Sequence, residues 1–375
     1  MRIAFVSDVA FPWHVGGVEQ TERLEAEHLA KGHEVHFFSF KWKGMKRDFT
    51  DKRIHYHCSH YLTDKEFYRH KRRSIREGFY FSMVAWRIFS SRFDVVQVNA
   101  FPYLHLPVMK LYCRITGAKL IMDVAEYWTR EEWMGYLGRA LGGIVSDYTN
   151  WMLRGADAYI ANPGKAYDGL VSIGVPRSII ERFTPILDDK ELSTVRAKQR
   201  RGLVVYLGRL IKEKRFDLWL EAVKEASSIE SGIKGIIIGD GPERAAIRHM
   251  IPALGLNATV QLRRFYNERR AAHRILKSAS VFLNMSEREG LSATALESIA
   301  LGTPVVLPSY SPIPDAVKGM CTVCDKDDVP RTLARIARGN KSSFIRNAKN
   351  LDGFKASSIP SFYKRLFARL DLKPV

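Results

Sequence analysis

Short runs of mainly apolar residues recur along the whole chain and are separated by longer amphipathic segments. Such runs are typical of strands buried on both faces of a parallel sheet, and the segments between them are long enough for crossover helices. Five runs lie in each half of the chain, which favours an α/β fold with two doubly wound parallel sheets. The predicted strands are 3–7, 35–40, 95–99, 120–124, 158–161, 203–207, 235–238, 260–262, 281–284 and 304–307.

The polar, charged segment 183–202 separates the two sets of strands and predicts a domain boundary. We therefore divide the chain into a first domain at 1–185, a second at 186–355 and a C-terminal segment at 356–375. The last segment contains an amphipathic stretch that predicts a helix packing back on the first domain. Two doubly wound domains facing each other would bind a ligand in the cleft between them, at the carboxyl ends of their strands.

Glycine and basic residues follow the first predicted strand of each domain. Gly16 and Gly17 would let the backbone approach a ligand closely, although a simple turn would explain them as well. Arg209 and Lys214 place two cations at the end of the strand 203–207, where a diphosphate would relieve their repulsion. A solvated basic loop is the alternative.

Two glutamates, Glu289 and Glu297, flank the start of a predicted helix at 292–301. The backbone amides of Gly290, Leu291 and Ser292 would be unpaired at this helix start and could hold phosphate oxygens. Carboxylates beside a diphosphate need hydrogen-bond donors of their own. The hydroxyl groups of a sugar and a ribose would supply them.

The stretch from Glu289 to Glu297 resembles the Glu-x7-Glu signature of retaining glycosyltransferases with the GT-B fold, family 4 in particular. Gly208-Arg209 with Lys214, Gly239-Asp-Gly-Pro242, and Gly16-Gly17-Val-Glu19 resemble the other family motifs in the same order. The similarity covers nearly the whole chain and is strongest from Leu203 to Pro308.

The resemblance implies a nucleotide-diphosphate sugar as co-substrate, with no other cofactor and no metal. Arg209 and Lys214 would neutralise the diphosphate, Glu289 would bind hydroxyls of the transferred sugar, and Glu297 would hold the ribose. The amides of 290–292 would bind phosphate or sugar, and Gly17 would let the first domain close on the donor. The resemblance also implies a hexosyltransferase reaction that retains the anomeric configuration.

The chain departs from the family pattern at several positions. The family often has a histidine near 123–128, where this chain has Ala125, and Glu126 becomes a candidate catalytic residue at the reacting sugar or acceptor. Arg215 stands where glycine is usual. The Asp325-Lys-Asp327 triplet matches the Asp-x-Asp motif with which another glycosyltransferase fold binds a divalent metal. It lies far from the other motifs, so we expect no metal there.

Composition limits the partners and the compartment. The 59 Lys and Arg against 40 Asp and Glu give a net charge of +19, which suits an anionic partner. Between Lys41 and Arg92 there are 14 basic and 5 acidic residues. This segment, with Lys71, Arg72, Arg73 and Arg76 beside the aromatic stretch 79–89, predicts binding to an anionic membrane or a phosphorylated lipid acceptor. A core helix is the alternative for 79–89.

Four cysteines in a chain of this size, a polar Asp8 near its start and no long apolar run favour a cytoplasmic protein, peripheral on the inner face of the membrane. The leading hypothesis is a sugar transfer to a membrane-associated or glycan acceptor. A nucleotide-sugar epimerase of the same fold and a nonenzymatic basic binding protein are the alternatives. Nucleic acid is not an expected partner, because no nucleic-acid-binding motif is present.

Overall fold

The computed structural model describes residues 1–10, 17–61, 75–264, 269–339, 341–345 and 348–372. Within them the strands are β1 (Arg2–Val6), β2 (Glu34–Lys41), β3 (Asp48–Asp51), β4 (Ile54–Tyr61), β5 (Val95–Asn99), β6 (Lys119–Val124), β7 (Ala158–Ala161), β8 (Ile180–Glu181), β9 (Leu203–Leu207), β10 (Lys234–Ile238), β11 (Val260–Arg263), β12 (Val281–Leu283), β13 (Val305–Pro308) and β14 (Thr322–Cys324).

The α-helices of the same residues are α1 (Gly17–Leu29), α2 (Ile75–Ala85), α3 (Leu106–Thr116), α4 (Arg130–Leu137), α5 (Arg139–Met152), α6 (Lys165–Ser172), α7 (Asp189–Thr194), α8 (Phe216–Ile229), α9 (Arg244–Ala253), α10 (Arg269–Ser278), α11 (Ala293–Ala300), α12 (Asp315–Lys318), α13 (Val329–Arg338) and α14 (Ile359–Arg369). A 3-10 helix at Trp86–Ser90 continues α2.

The chain divides into two compact units. Unit 1 comprises Met1–Ile186 and Gly353–Val375, and unit 2 comprises Leu187–Asp352. The boundaries predicted from the sequence, at 185/186 and 355/356, fall within a few residues of these divisions. Helix α14 belongs to unit 1, where Phe362 stacks on Phe183 at 3.8 Å between ring centroids and the Tyr363 hydroxyl donates to Gln97 at 2.7 Å.

Unit 1 has an eight-stranded sheet in the order β3-β4-β2-β1-β5-β6-β7-β8. Strand β3 pairs antiparallel with β4, and the other neighbours pair parallel. Strands β5 and β7 are buried along their whole length, as the uninterrupted apolar runs predict. The strand order reverses between β1 and β5.

Unit 2 has a six-stranded parallel sheet in the order β11-β10-β9-β12-β13-β14. The chain leaves β9 toward β10 on one side and leaves β12 toward β13 on the other. The loops after β9 and β12 therefore diverge at a topological switch point, which is where open α/β sheets bind their ligands.

The ten predicted strands are all present, and the α/β class with parallel sheets is confirmed. The ten predicted strands do not include β3, β4, β8 or β14. Strands β3 and β4 form a hairpin at one edge of the unit 1 sheet. Lys52 and Arg53 occupy the turn with φ of 46° and 66°. Tight hairpin turns of this kind favour glycine or asparagine, so the usual turn signal is absent from the sequence.

Candidate active site

The loops after β9 and β12 lie against each other at the switch point of unit 2. The Glu287 amide donates to the Glu213 carbonyl at 3.0 Å, which joins the two loops through their backbones. Within the second loop, buried Asn284 accepts from the Ser286 amide at 3.0 Å and donates to the Ser292 hydroxyl at 3.4 Å. These contacts fix the positions of the charged side chains that the loops carry.

Lys214 and Glu289 form an ion pair across the two loops, and their side chains are only 13% and 12% exposed. Both residues were predicted at the donor, but nothing in the sequence indicates that they pair with each other. The pair places a cation and a carboxylate side by side in the loops that follow β9 and β12. Glu289 then needs no additional cation to compensate its charge.

Arg209 is exposed at the end of β9, and among the described residues its side chain has no hydrogen-bond or ion-pair partner. Its carbonyl accepts from the Tyr206 hydroxyl at 3.2 Å, which holds the backbone of the loop. Gly208 in this loop packs so closely against Gly239 that a Cβ on Gly239 would lie 2.0 Å from the Gly208 carbonyl oxygen. The first glycine of the Gly239-Asp-Gly-Pro242 motif therefore has a packing role.

The amides of Gly290, Leu291 and Ser292 precede helix α11, and none of them donates a hydrogen bond within the described part of the chain. Ser292 is the residue before the helix, with φ of 58° and no side-chain cap bond. A Cβ on Gly290 would meet no atom within 4 Å. Three unpaired amides beside open space at a helix N-terminus form an anion-binding arrangement.

Glu297 is buried on α11 and lies between two basic side chains of α10. Arg269 contacts its Oε1, and His273 Nε2 lies 3.5 Å from its Oε2. Burial alone would raise the pKa of Glu297, but the Arg269 charge and the His273 contact hold it below its usual value. Glu297 is therefore a fixed, ionised acceptor.

Arg215 is the residue before helix α8 and lies in the left-handed region, with φ of 50°. Glycine adopts this conformation without steric cost, which explains why the family usually has glycine at this position. The guanidinium group contacts Glu287 and donates to the Asp217 carboxylate at 2.7–3.1 Å. Arg215 thus adds a second ion pair between the two loops.

The residues predicted in unit 1 lie partly outside the described ranges. Gly16 lies outside the described residues, and Gly17 is the first residue of α1. Glu126 is exposed after β6 and accepts a hydrogen bond from the Trp128 indole at 3.3 Å. Its catalytic role stays a prediction.

Lys71, Arg72 and Arg73 also lie outside the described residues, whereas Arg76 is exposed at the start of α2. Helix α2 and the 3-10 turn after it have two faces. One face is buried and contains Phe81, Val84, Ala85 and Ile88. The other exposes Phe79, Met83 and Trp86 by 59%, 59% and 51%. The segment is therefore both a core helix and a carrier of exposed apolar side chains.

No group of three or more His, Cys, Asp or Glu side chains in the described ranges could hold a metal ion. Asp325 and Asp327 are exposed in the 3-10 region before α13. The four cysteines are free, and none of the helices of the described chain is long and apolar enough to cross a membrane.

Three site residues were missed from the sequence: Glu191, Arg269 and His273. The spacing of Arg269 and His273 by four positions places both on one face of α10, but nothing in the sequence shows that this face meets Glu297. Unit 1 has an unpredicted feature of another kind. Helix α1 buries Glu19, Glu22 and Glu25 beside the ends of β5 and β6.

The fold is similar to solved GT-B glycosyltransferases. The HepE structure from Anabaena, in complex with UDP and glucose, superposes with a TM-score of 0.67 at 14% identity, covering 98% of this chain and 99% of that chain. An E. coli trehalose-6-phosphate structure bound with UDP-2-fluoro glucose gives a TM-score of 0.71 at 13% identity, covering 98% and 99%. These likenesses confirm the GT-B class of fold.

Family models match both units. The model of glycosyltransferase family 4 matches residues 15–189, and the model of the glycosyl transferases group 1 matches residues 188–337. The second range contains both switch-point loops. The chain belongs to the group 1, family 4-like glycosyltransferases.

A curated relative is similar to the chain over a shorter stretch. The GDP-mannose-dependent alpha-(1-6)-phosphatidylinositol dimannoside mannosyltransferase of Mycobacterium tuberculosis is 31% identical over 138 residues. This stretch covers 36% of the present chain and 34% of the relative, so the chain spans about a third of that protein's length.

Proposed function

We propose that the protein transfers a sugar from a nucleotide-diphosphate sugar to a membrane-associated acceptor, either lipid-linked or glycolipid, or to a glycan. The observation that carries this proposal is the convergence of Arg209, the Lys214–Glu289 pair and three unpaired amides at the switch point of unit 2. Charge-assisted hydrogen bonds from fixed donors are the contacts that a diphosphate requires.

The residues divide between the parts of the donor. Arg209, Lys214 and the amides of residues 290–292 bind the diphosphate, and Glu297 accepts hydrogen bonds from the ribose. Glu289 accepts from hydroxyls of the transferred sugar while Lys214 compensates its charge. This arrangement places a cation beside the carboxylate and close to the bond that breaks, where negative charge develops on the leaving diphosphate.

The reaction in this proposal retains the anomeric configuration. The acceptor oxygen forms its bond to the anomeric carbon on the face from which the diphosphate leaves, and the acceptor proton passes to the departing phosphate oxygen. No protein nucleophile takes part. Arg209 and Lys214 supply the positive charge that a metal ion would otherwise supply, so we propose a metal-independent enzyme.

The acceptor side of the proposal rests on unit 1. Phe79, Met83 and Trp86 form one exposed apolar stripe within the segment that carries 14 basic and 5 acidic residues. Unit 1 also exposes Leu111 and Ile115 on α3, which packs against α2, and Ile144 and Trp151 on α5. Such a face suits an anionic membrane surface. The mannosyltransferase relative is named for a phosphatidylinositol acceptor, which agrees with a lipid-linked acceptor here.

The proposed localisation is the cytoplasmic face of the membrane, with the protein bound peripherally. The biological role in this proposal is the synthesis of cell-envelope polysaccharide or glycoconjugate. The charge excess and the apolar stripe together favour this location over free solution.

The experiment that tests the proposal compares Glu289→Gln with Glu297→Gln. The proteins are incubated with UDP- and GDP-sugars, alone and with a membrane extract as acceptor, with and without EDTA. Glu289→Gln should abolish transfer but leave nucleoside diphosphate affinity within about threefold, because the residue faces the sugar. Glu297→Gln should weaken the nucleotide itself by about tenfold or more, because a hydrogen bond to a charged group is lost.

Three outcomes would contradict the proposal. Conversion of the donor sugar without an acceptor would indicate an epimerase. Identical behaviour of the two variants in titration and turnover would contradict the division of roles. Loss of activity in EDTA that Mg²⁺ restores would contradict metal independence.

A further inference from the structure

His273 is a buried histidine whose two ring nitrogens both face carboxylates. Nδ1 lies 3.6 Å from Glu191 Oε1 on α7, and Nε2 lies 3.5 Å from Glu297 Oε2 on α11. A neutral imidazole carries only one N–H and would present a lone pair to one of the two carboxylates. Only the imidazolium presents a proton to both.

The surrounding charges agree with a protonated ring. Burial of His273 would lower its pKa, but the contacts with Glu191 and Glu297 outweigh burial and raise the pKa to about 9, against a smaller opposing effect of Arg269. Asp188 adds a further negative charge that acts on Arg269. The ring therefore carries its charge at neutral pH.

The arrangement also brings a basic group to each oxygen of Glu297. Arg269 contacts Oε1 and His273 approaches Oε2, and the two basic residues are one turn apart on α10. One helix thus places a basic side chain beside each of the two carboxylate oxygens. Without the imidazolium, Oε2 would face a neutral ring with Glu191 behind it, and the orientation would no longer be determined.

We infer that His273 is a positioning residue: as an imidazolium between Glu191 and Glu297, it fixes the Glu297 carboxylate that accepts hydrogen bonds from the donor ribose. This inference rests on the proposed function, in which Glu297 binds the ribose. In this inference, the preference for ribose over deoxyribose depends on charged side chains of three helices, α7, α10 and α11.

The test measures the preference for ribose by titration calorimetry. UDP, GDP, ADP and CDP are compared with their 2′-deoxy and 3′-deoxy forms, between pH 7 and pH 10. The wild-type protein should prefer one ribonucleotide over its deoxy form by about tenfold or more at pH 7. The preference should decline as the pH rises through about 9. The ratio cancels any ionisation of the base, which both forms share.

Three variants separate the roles. His273→Gln should reduce the preference to about two- to threefold at pH 7 and remove its dependence on pH. Glu191→Gln leaves Glu297 untouched but removes a carboxylate that stabilises the imidazolium, so the decline should move toward neutral pH. His249→Gln makes the same change at an exposed position of α9 and should behave as the wild type.

The outcomes distinguish the inference from the proposed function. If Glu297→Gln removes the preference and His273→Gln retains it at every pH, Glu297 binds ribose without His273 and the inference is wrong. If Glu297→Gln retains the preference, or no nucleotide binds, the ribose assignment itself fails. Should His273→Gln fail to fold, the shift in Glu191→Gln decides, and an unshifted decline overturns the inference.

Discussion

Arg215 combines a strained backbone with favourable contacts. A residue other than glycine costs roughly 1 kcal/mol or more in the left-handed region. Its ion pairs with Asp217 and Glu287 offset this cost, and because each pair is partly solvent-exposed it contributes only about 0.2–1 kcal/mol. The side chain thus joins the two loops at a net cost that is close to zero.

The first prediction follows from this balance. Arg215→Gly and Arg215→Ala lose the same ion pairs, but only alanine keeps the strained conformation. Arg215→Ala should therefore destabilise unit 2 by about 1 kcal/mol more than Arg215→Gly. Thermal unfolding of the two variants measures the difference. Equal unfolding temperatures would show that the residue does not hold a left-handed conformation.

Gly290 provides a second prediction at the residue scale. A Cβ there meets no atom within 4 Å and the backbone needs no positive φ, so Gly290→Ala should leave the unfolding temperature unchanged. The added methyl group should still weaken nucleoside diphosphate binding by about tenfold, because it stands beside the three unpaired amides. Gly232→Ala, at another exposed glycine of unit 2, is the matched control. Unchanged affinity would remove these amides from the donor site.

The sequence was sufficient to indicate candidate residues in the loops, and their roles stay a prediction. Arg209, Lys214 and Glu289 follow strands whose ends meet at the switch point, so their proximity follows from topology. Arg269 and His273 could not be selected in this way. They act through the face that α10 turns toward α11, and helix packing is a property of the folded chain.

At the scale of elements, helix α1 buries carboxyl groups against the ends of β5 and β6. Gln97 donates to Glu25 at 2.8 Å, and Asn99 donates to Glu22 at 3.2 Å. Burial, followed by the charge of Asp123, raises the pKa values of Glu22 and Glu25, and burial raises the pKa of Asp123 to about 7. The side-chain amides of Gln97 and Asn99 thus supply hydrogen bonds to the buried carboxyl groups of α1. An apolar contact between a helix and a sheet would not need such donors.

This cluster predicts how the stability of unit 1 depends on pH. The folded pKa of Asp123 exceeds its unfolded value of about 3.9, so the folded state binds the extra proton between pH 4 and 7. The stability should fall as the pH rises through this range. Asp123→Asn should therefore unfold at a higher temperature than the wild type at pH 8, but not at pH 4.

Asp168→Asn, at an exposed position of α6, provides the matched control and should show no such crossover. A lower unfolding temperature of Asp123→Asn at pH 8 would mean that the Asp123 carboxylate is stabilised in the folded protein. The assumed direction of its pKa would then be wrong.

Most of the strands that the sequence predicted contain an apolar run buried on both faces, as β5, β7 and β9 do. Strand β4 lies next to the edge strand β3, places histidines at positions 55, 57 and 60, and lacks such a run. Strand β8 has only two residues and no pattern of its own. Strands without such a run depend on pairing with a neighbour, so their positions follow from the assembled sheet and not from local sequence.

At the scale of the whole molecule, the basic charge and the apolar stripe predict binding to membranes. The protein should co-sediment with vesicles that contain anionic lipids, and less as salt rises, because exposed charges are screened over about 10 Å at 0.1 M. A Phe79→Ser, Met83→Ser and Trp86→Ser triple variant should reduce this binding without changing nucleotide affinity. Ile229→Ser, at an exposed position of unit 2, is the control. Equal binding to neutral and anionic vesicles would contradict an electrostatic contribution.

The central claim is that the switch-point loops of unit 2 bind the diphosphate of a nucleotide sugar. Titration of nucleoside diphosphates and monophosphates into the wild type, Arg209→Ala, Lys214→Ala and their double variant tests it most directly. Arg248→Ala, an exposed arginine of α9, is the control. Each single variant should lose about 2 kcal/mol of diphosphate binding, roughly 30-fold, and much less for the monophosphate. A folded double variant that binds diphosphates as tightly as the wild type would contradict the account.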